Sequence, residues 1–420
     1  MTPLPPPLAI TGGRVVDPAS GFDGIATVLV RDRMIVGVLP GVAAAGEGAV
    51  PADAERIDAT RLIVAPGLID AGVFRADASA CHAGGITRVV LMPDQSPPLD
   101  DPALVAFAQA MGKPDVWVHP LVAATRGLAG RELADIGLGQ AAGAVGVATG
   151  RGAIASTAVM HRLLAWSGAF GLPVVSHAED AALTAGAVAS EGETATRLGL
   201  AAAPAWAEAL AVARDLRLAE ATGARLHFRQ LTTAEGLDLV RAAQARGVDV
   251  SVGITPAHIL LNDGAVTGFR SFARLSPPLR SEADRLAVLA ALADGTISVI
   301  ASGHDPRTQE DKRQPFADAL PGMAGAESLL ALALILVRDG VLDLAGVLAT
   351  MTAAPAARFG LPAGTLSPGS AADLMVFDQH APWRIDSDAS IGAGNTPFDG
   401  LPVQGRVRMT IKGGEIVWQR

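Results

Sequence analysis

The imidazoles and carboxylates of this chain gather at the ends of short apolar runs. His177 follows Val174-Val175-Ser176, His227 lies in Leu226-His227-Phe228-Arg229-Gln230, and Gly303-His304-Asp305 follows Ile297–Ser302. Groups collected in this way suit a divalent metal that turns water into a nucleophile, lowering its pKa from 15.7 to about 7. At 1.36 kcal/mol per unit, that makes hydroxide more available by at most roughly 12 kcal/mol. A catalytic zinc normally takes three protein ligands. Side chains two apart on a strand share a face, yet Asp70 is followed by Ala71, Gly72, Val73 and Phe74, none with a lone pair fit for a metal. The next histidine, His82, sits in the helical run Ala78–Ala83, beyond that strand.

The elements that must position these residues are legible as alternation. Eight strand candidates, Gly67–Val73, Thr87–Met92, Val116–Leu121, Gly143–Ala148, Pro173–Ser176, Arg225–Phe228, Asp249–Ile254 and Ile297–Ser302, are each followed by a helical pattern. Several are continuous apolar or β-branched runs, as parallel strands buried on both faces require, and Ala205–Ala221 and Glu235–Arg246 are long enough for crossover helices. Eight such units predict an α/β fold, a (β/α)8 TIM-type barrel. A doubly wound open sheet is the other candidate, but no Gly-rich phosphate fingerprint follows the first strand. Only Ala76–Gly85 separates the first two strands, room for a short helix at most. Both chain ends are rich in short β runs with no helical period, which predicts a small composite β-sandwich from residues 1–62 and 366–420 around a barrel at 63–365.

Composition narrows the partners. A 420-residue chain with 50% hydrophobic residues buries a large core, and a net charge of −9 without basic runs argues against nucleic acid. Cys81 is the single cysteine, so no internal disulfide forms, and Met1–Pro7 lacks the basic start and apolar core of a signal peptide; a cytoplasmic protein is expected. Apolar runs such as Leu329–Val337 fall short of the roughly 20 residues that span a bilayer, so no membrane partner is expected.

Pro66-Gly67-Leu68-Ile69-Asp70 resembles the first barrel strand of the amidohydrolase superfamily, in the branch of dihydroorotases, allantoinases and hydantoinases, where a His-x-His metal pair follows the aspartate. Met92-Pro93-Asp94, Ser176-His177-Ala178-Glu179-Asp180, Ser276-Pro277-Pro278-Leu279-Arg280, Pro321–Gly325, Ala372-Asp373-Leu374 and Asn395-Thr396-Pro397-Phe398 extend the resemblance over nearly the whole chain, and to dihydroorotases in particular. It implies zinc in active relatives. It also implies that the ligand set is eroded here, so that no zinc and no catalytic residue are expected. No lysine or aspartate ends the fourth strand, which reads Ala148-Thr149-Gly150-Arg151. Lys113, Lys312 and Lys412, the three lysines, fall elsewhere.

His177 matches a family ligand, Gln230 stands where relatives have a ligating histidine, and Gly303 stands where they have the aspartate that serves as ligand and general base. Asp305, two residues on, lies about 6–7 Å away along an extended strand, too far to replace it. Arg75 resembles the arginine that grips a substrate carboxylate, and equally reads as a rim surface residue. Asp94 replaces an asparagine, His258 resembles a substrate-pocket position, and His304 reads as a hydrogen-bonded remnant. These residues together are the expected vestigial pocket. His82, His119, His161, His227, His380 and Cys81 have ordinary structural explanations.

Three functions follow. One is a non-catalytic homologue of dihydroorotase, in an oligomer with the catalytic chain of aspartate transcarbamoylase, as the family resemblance implies. The others are an active cyclic amide hydrolase with an atypical site, converting dihydroorotate to carbamoyl aspartate, and a small-molecule binding module using the old pocket.

Overall fold

The computed structural model describes residues 6–41 and 50–420. Met1–Pro5, most of the segment read for signal-peptide features, lies outside them. All eight barrel strands are present: Leu68–Val73, Ile86–Leu91, Trp117–Pro120 continued by Val122–Ala123, Val147–Ala148, Val174–Ser176, Leu226–Phe228, Val250–Ile254 and Val299–Ile300, parallel neighbour to neighbour. The fourth is shorter than Gly143–Ala148 because helix Ile136–Ala141 runs almost to it and Gly143 turns at φ +107°. Alternation along the strands divides the core. Ile69, Ala71, Val90, Leu121, Ala148, Val175 and Val299 fill the barrel with Phe359 from helix Ala353–Phe359, while Leu68, Val89, Val118, Val174, Leu226 and Val252 join the large cluster beneath the helices. The connection between the first two strands is the short helix Ala78–Ala83, capped by Asp77. Helices Trp206–Thr222 and Ala234–Ala245 fill the expected crossovers.

The two chain ends form one eight-stranded sheet with its own apolar core around Ile10, Val28, Ile35, Val64, Leu374 and Ile411. Ile63–Pro66, just past the boundary drawn at residue 62, is a strand of this sheet, between Leu8–Asp17 and Leu374–Arg384. Asp373 fastens sheet to barrel. Its buried carboxylate takes Arg88 Nη2 at 2.6 Å, Trp117 Nε1 at 3.2 Å and Gly413 N at 2.7 Å. Among the described residues no helix is long and apolar enough to cross a membrane; Leu329–Arg338 is a core helix, buried from Leu329 through Leu334.

The first and eighth strands are not joined by a ladder among the described residues. Asp70, fully buried, closes the ring instead. It accepts the Ser302 amide at 2.8 Å and the Ser302 hydroxyl, and beyond it Phe74 N donates to His304 O at 2.9 Å. Burial raises the Asp70 carboxyl to about 6, against the pull of the Ser302 hydrogen bonds. The unfolded chain releases this proton near pH 3.9, so the contribution of Asp70 is fully present below about pH 4 and is lost as pH rises to about 6. Asp70→Asn should therefore flatten the fall in denaturant midpoint between about pH 4 and 7, a difference on the order of 2–3 kcal/mol. Asp70→Ala should cost about 2–5 kcal/mol below about pH 4 by leaving two Ser302 donors unpaired, and less as pH rises to about 6. Parallel pH profiles for wild type and Asp70→Asn would show that the carboxyl ionises as in the unfolded chain.

Candidate functional site at the barrel mouth

At the C-terminal ends of the strands, Phe74, Arg151, Arg229, Gln230, His258, Gly303 and Asp305 line one pocket, completed by Thr255, Leu275, Ser276 and Pro321–Met323. Its walls are held by buried polar groups. Glu208, from helix Trp206–Thr222, accepts Thr232 N at 2.8 Å, Thr232 Oγ1 at 2.6 Å, Thr233 N at 2.9 Å and Thr233 Oγ1 at 2.8 Å, which fixes the chain just past Gln230. Arg280 ties its own loop to Thr232 Oγ1 at 2.9 Å. That loop presents Ser276 O to Gln230 Nε2 at 3.0 Å and Pro277 O to His258 Nε2 at 3.1 Å.

The residues named from sequence do not all meet here. Arg75 is exposed and outside the lining, on the surface of the rim. Asp94 lies behind the lining, where its Oδ1 accepts Arg151 N at 2.8 Å; burial raises its carboxyl against the pull of Arg151 and Arg229. His304 turns away from the mouth: its Nδ1 accepts from the Gly325 and Ala326 amides at 3.3 Å each, its Nε2 is unpartnered, and it lines a separate cavity beside Glu327 and Trp383. His258 is in the lining but held neutral, accepting Thr255 Oγ1 at 2.8 Å on Nδ1 while burial lowers it to about 4. His227 points away from the mouth as expected, to Ser251 Oγ at 2.7 Å and edge-on to Phe359.

Two arginines, missed as site residues, dominate the mouth. The Arg151 guanidinium lies 3.8 Å from the Phe74 ring centroid and that of Arg229 lies 5.2 Å from the same ring. Arg151 also grips Asp305 with both Nη atoms, while Arg307 Nη2 takes the same carboxylate at 2.8 Å. Their sequence signal was their place: each ends a strand at or beside a position where a ligand is lost.

The donor set does not fit zinc. His177 alone persists, and both its ring nitrogens are engaged: Arg229 Nη2 donates to Nδ1 at 3.3 Å, so Nε2 carries the proton and donates to Glu179 Oε2 at 2.9 Å. Among the described residues no three His, Cys, Asp or Glu side chains are grouped to hold a metal. The backbone also disfavours larger side chains at two of these positions. Gly72 has φ +91° and Gly303 φ +64°, conformations that side chains with a Cβ resist. A Cβ on Gly303 would meet Thr255 Cγ2 at 2.9 Å, and one on Gly72 would meet Arg229 Cγ at 3.4 Å.

Side-chain reversion alone should consequently fail. The triple variant Gly72→His, Gln230→His, Gly303→Asp should hold only substoichiometric zinc after dialysis, and Gly303→Ala should cost about 1–2 kcal/mol from left-handed strain. One equivalent of zinc in the triple variant, by elemental analysis, would mean that the backbone adapts.

The amidohydrolase family model matches residues 72–417. Curated relatives span the same length. A dihydroorotase of Syntrophotalea carbinolica is 39% identical, covering 98% of this chain and 99% of that protein. A dihydroorotase-like protein of Pseudomonas aeruginosa is 38% identical, covering 97% and 99%. Among solved structures, L-hydantoinase from Arthrobacter aurescens superposes with a TM-score of 0.84 over 98% of this chain and 96% of that one, at 24% identity, a likeness of fold. With this barrel, this sheet and these relatives, the chain belongs to the amidohydrolase family and is dihydroorotase-like within it.

Proposed function

We propose that this chain is a dihydroorotase homologue of pyrimidine biosynthesis without hydrolytic activity, bound in the cytoplasm as a structural partner to the catalytic chain of aspartate transcarbamoylase. The observation that carries the non-catalytic reading is the pair of left-handed glycines, Gly72 and Gly303, at two lost ligand positions. Two further features support it. The mouth is narrowed by the Phe74 ring and two guanidiniums, and Asp305, the carboxylate two residues past Gly303, is held by Arg151 and Arg307. A base whose lone pairs are bound by two cations is a poor proton acceptor. Zinc is no part of the proposal.

The assembly role rests on architecture kept while chemistry is lost, and on family analogy, which is an associational warrant. Apolar surface is present to serve it: Phe107 and Met111 on one helix and Leu138 on the helix packed beside it are 66%, 53% and 58% exposed. A stable complex buries at least about 1,000 Å².

Purified protein should hydrolyse dihydroorotate and cyclise carbamoyl aspartate at background rate; turnover near 1 s⁻¹, the low end of ordinary enzymes, would establish an active hydrolase instead. Co-expressed with aspartate transcarbamoylase, the chain should co-elute in a stoichiometric oligomer. Separate elution at micromolar concentration, with transcarbamoylase activity the same in its presence and absence, would remove the assembly role.

A further inference from the structure

Four arginines are buried among the described residues, and three of them have a carboxylate partner. Arg88 meets Asp373 at 2.6 Å, Arg280 lies 3.5 Å from Glu208, and Arg358 pairs with Asp249. Arg229, 8% exposed, has none within 4 Å among the described residues. Asp94, Asp305 and Glu179 bear on its charge from beyond ion-pair distance: Asp305 is held by Arg151 and Arg307, Glu179 Oε2 by His177, and Asp94 gives Oδ1 to the Arg151 amide while its Oδ2 has no hydrogen-bond partner. Its hydrogen bonds are two long ones from Nη2, to His177 Nδ1 at 3.3 Å and Ser276 O at 3.5 Å, and its Nε has no partner. The next residue repeats the pattern with opposite polarity. Gln230, 4% exposed, is oriented by its Nε2 bond to Ser276 O and leaves Oε1 buried without a donor.

A buried cation without a counter-charge is disfavoured, and so is a buried acceptor without a donor; such groups in a native protein call for an explanation. Both residues line the same pocket. A guanidinium presents a planar fork that matches a carboxylate. An amide oxygen fixed beside it accepts from an N–H or O–H. The cavity is about 80 Å³, against roughly 300–1,000 Å³ for sites that enclose drug-sized ligands, which limits an occupant to a few heavy atoms.

We infer that the mouth is a binding site for a small carboxylate carrying a hydrogen-bond donor on its second carbon, a 2-hydroxy or 2-amido acid, with Arg229 holding the carboxylate and Gln230 Oε1 accepting from the donor. Phe74 forms one wall and orients both guanidiniums. Arg151, which shares the Asp305 carboxylate with Arg307, completes the wall. The ligand supplies the missing counter-charge, so binding and relief of the buried cation are one event. The site stands apart from the assembly role: either can fail while the other holds.

Titration calorimetry on the full chain tests this, with glycolate, acetate and inorganic phosphate as probes up to about 10 mM, ten times a 1 mM Kd. Glycolate should bind at one saturable site, tighter than acetate by about 2- to 10-fold, the weight of one neutral hydrogen bond. Arg229→Gln should weaken glycolate by at least about 10-fold, as loss of a charged hydrogen bond does. Gln230→Leu should remove the preference for glycolate over acetate. Ligand-free Arg229→Gln should melt no lower than the parent, because it removes an unpaired charge, and glycolate should raise the melting point of the parent alone. A purely structural arginine predicts the reverse, a variant that melts lower whether or not glycolate is present. If Arg229→Gln does not fold, Gln230→Leu carries the test through its selectivity. No saturable glycolate binding by the parent, or phosphate bound as tightly as glycolate, would overturn the inference.

Discussion

A ring of eight parallel strands ordinarily closes through a ladder between its first and last members, and here a carboxylate and one backbone hydrogen bond, Phe74 N to His304 O, do that work. Asp70 accepts both the amide and the hydroxyl of Ser302 across the seam, in a place no water reaches. A buried carboxyl with two donors is acceptable only while both are present, so the strands cannot slide or part at this point without leaving polar groups unpaired. The residues just beyond the seam are the ones that depart from strand geometry. Register shifts between Ala71 and Val73, and Gly72 and Gly303 take positive φ on either side. After those two glycines Phe74 enters the mouth and His304 turns to the Gly325 and Ala326 amides. The seam thus fixes the barrel, and the glycines flanking it determine what the barrel presents.

That division explains what the sequence could and could not disclose. The strands were legible because buried parallel strands demand continuous apolar runs, which Leu68–Val73 and Val250–Ile254 display without ambiguity. The fourth strand was overextended because Gly143–Gly146 carries residues compatible with a strand, and only the φ of Gly143 and the nearby helix end it. Ligand loss was also legible, since a missing histidine is visible as a letter. What replaced the ligands was not. Nothing local to Arg229 says that its side chain runs over Gly72 toward the Phe74 ring, because that path depends on a glycine and an aromatic far away in sequence. Arg75 was open between two readings, a carboxylate grip and a rim surface residue, and only the backbone, which carries it to the surface, could separate them.

Charge at the mouth ties these observations together. A zinc site gathers neutral imidazoles and carboxylates around a dication, and any protein cation close by opposes it. In this chain a guanidinium lies against the surviving histidine, taking the Nδ1 lone pair, while Nε2–H is turned to Glu179. Histidine coordinates through a free lone pair, so His177 is silenced by the same arginine that uses the space left over Gly72. The changes therefore reinforce one another. Loss of a side chain at 72 makes room for Arg229; Arg229 occupies the histidine; and an occupied histidine removes any advantage of restoring the rest. Stabilisation of Arg229 in that position then falls to Phe74, whose ring face attracts cations. A mouth built in this way does not come to hold a metal by one substitution, and its remaining free valences, one guanidinium edge and one amide oxygen, are those of the small-acid site inferred above.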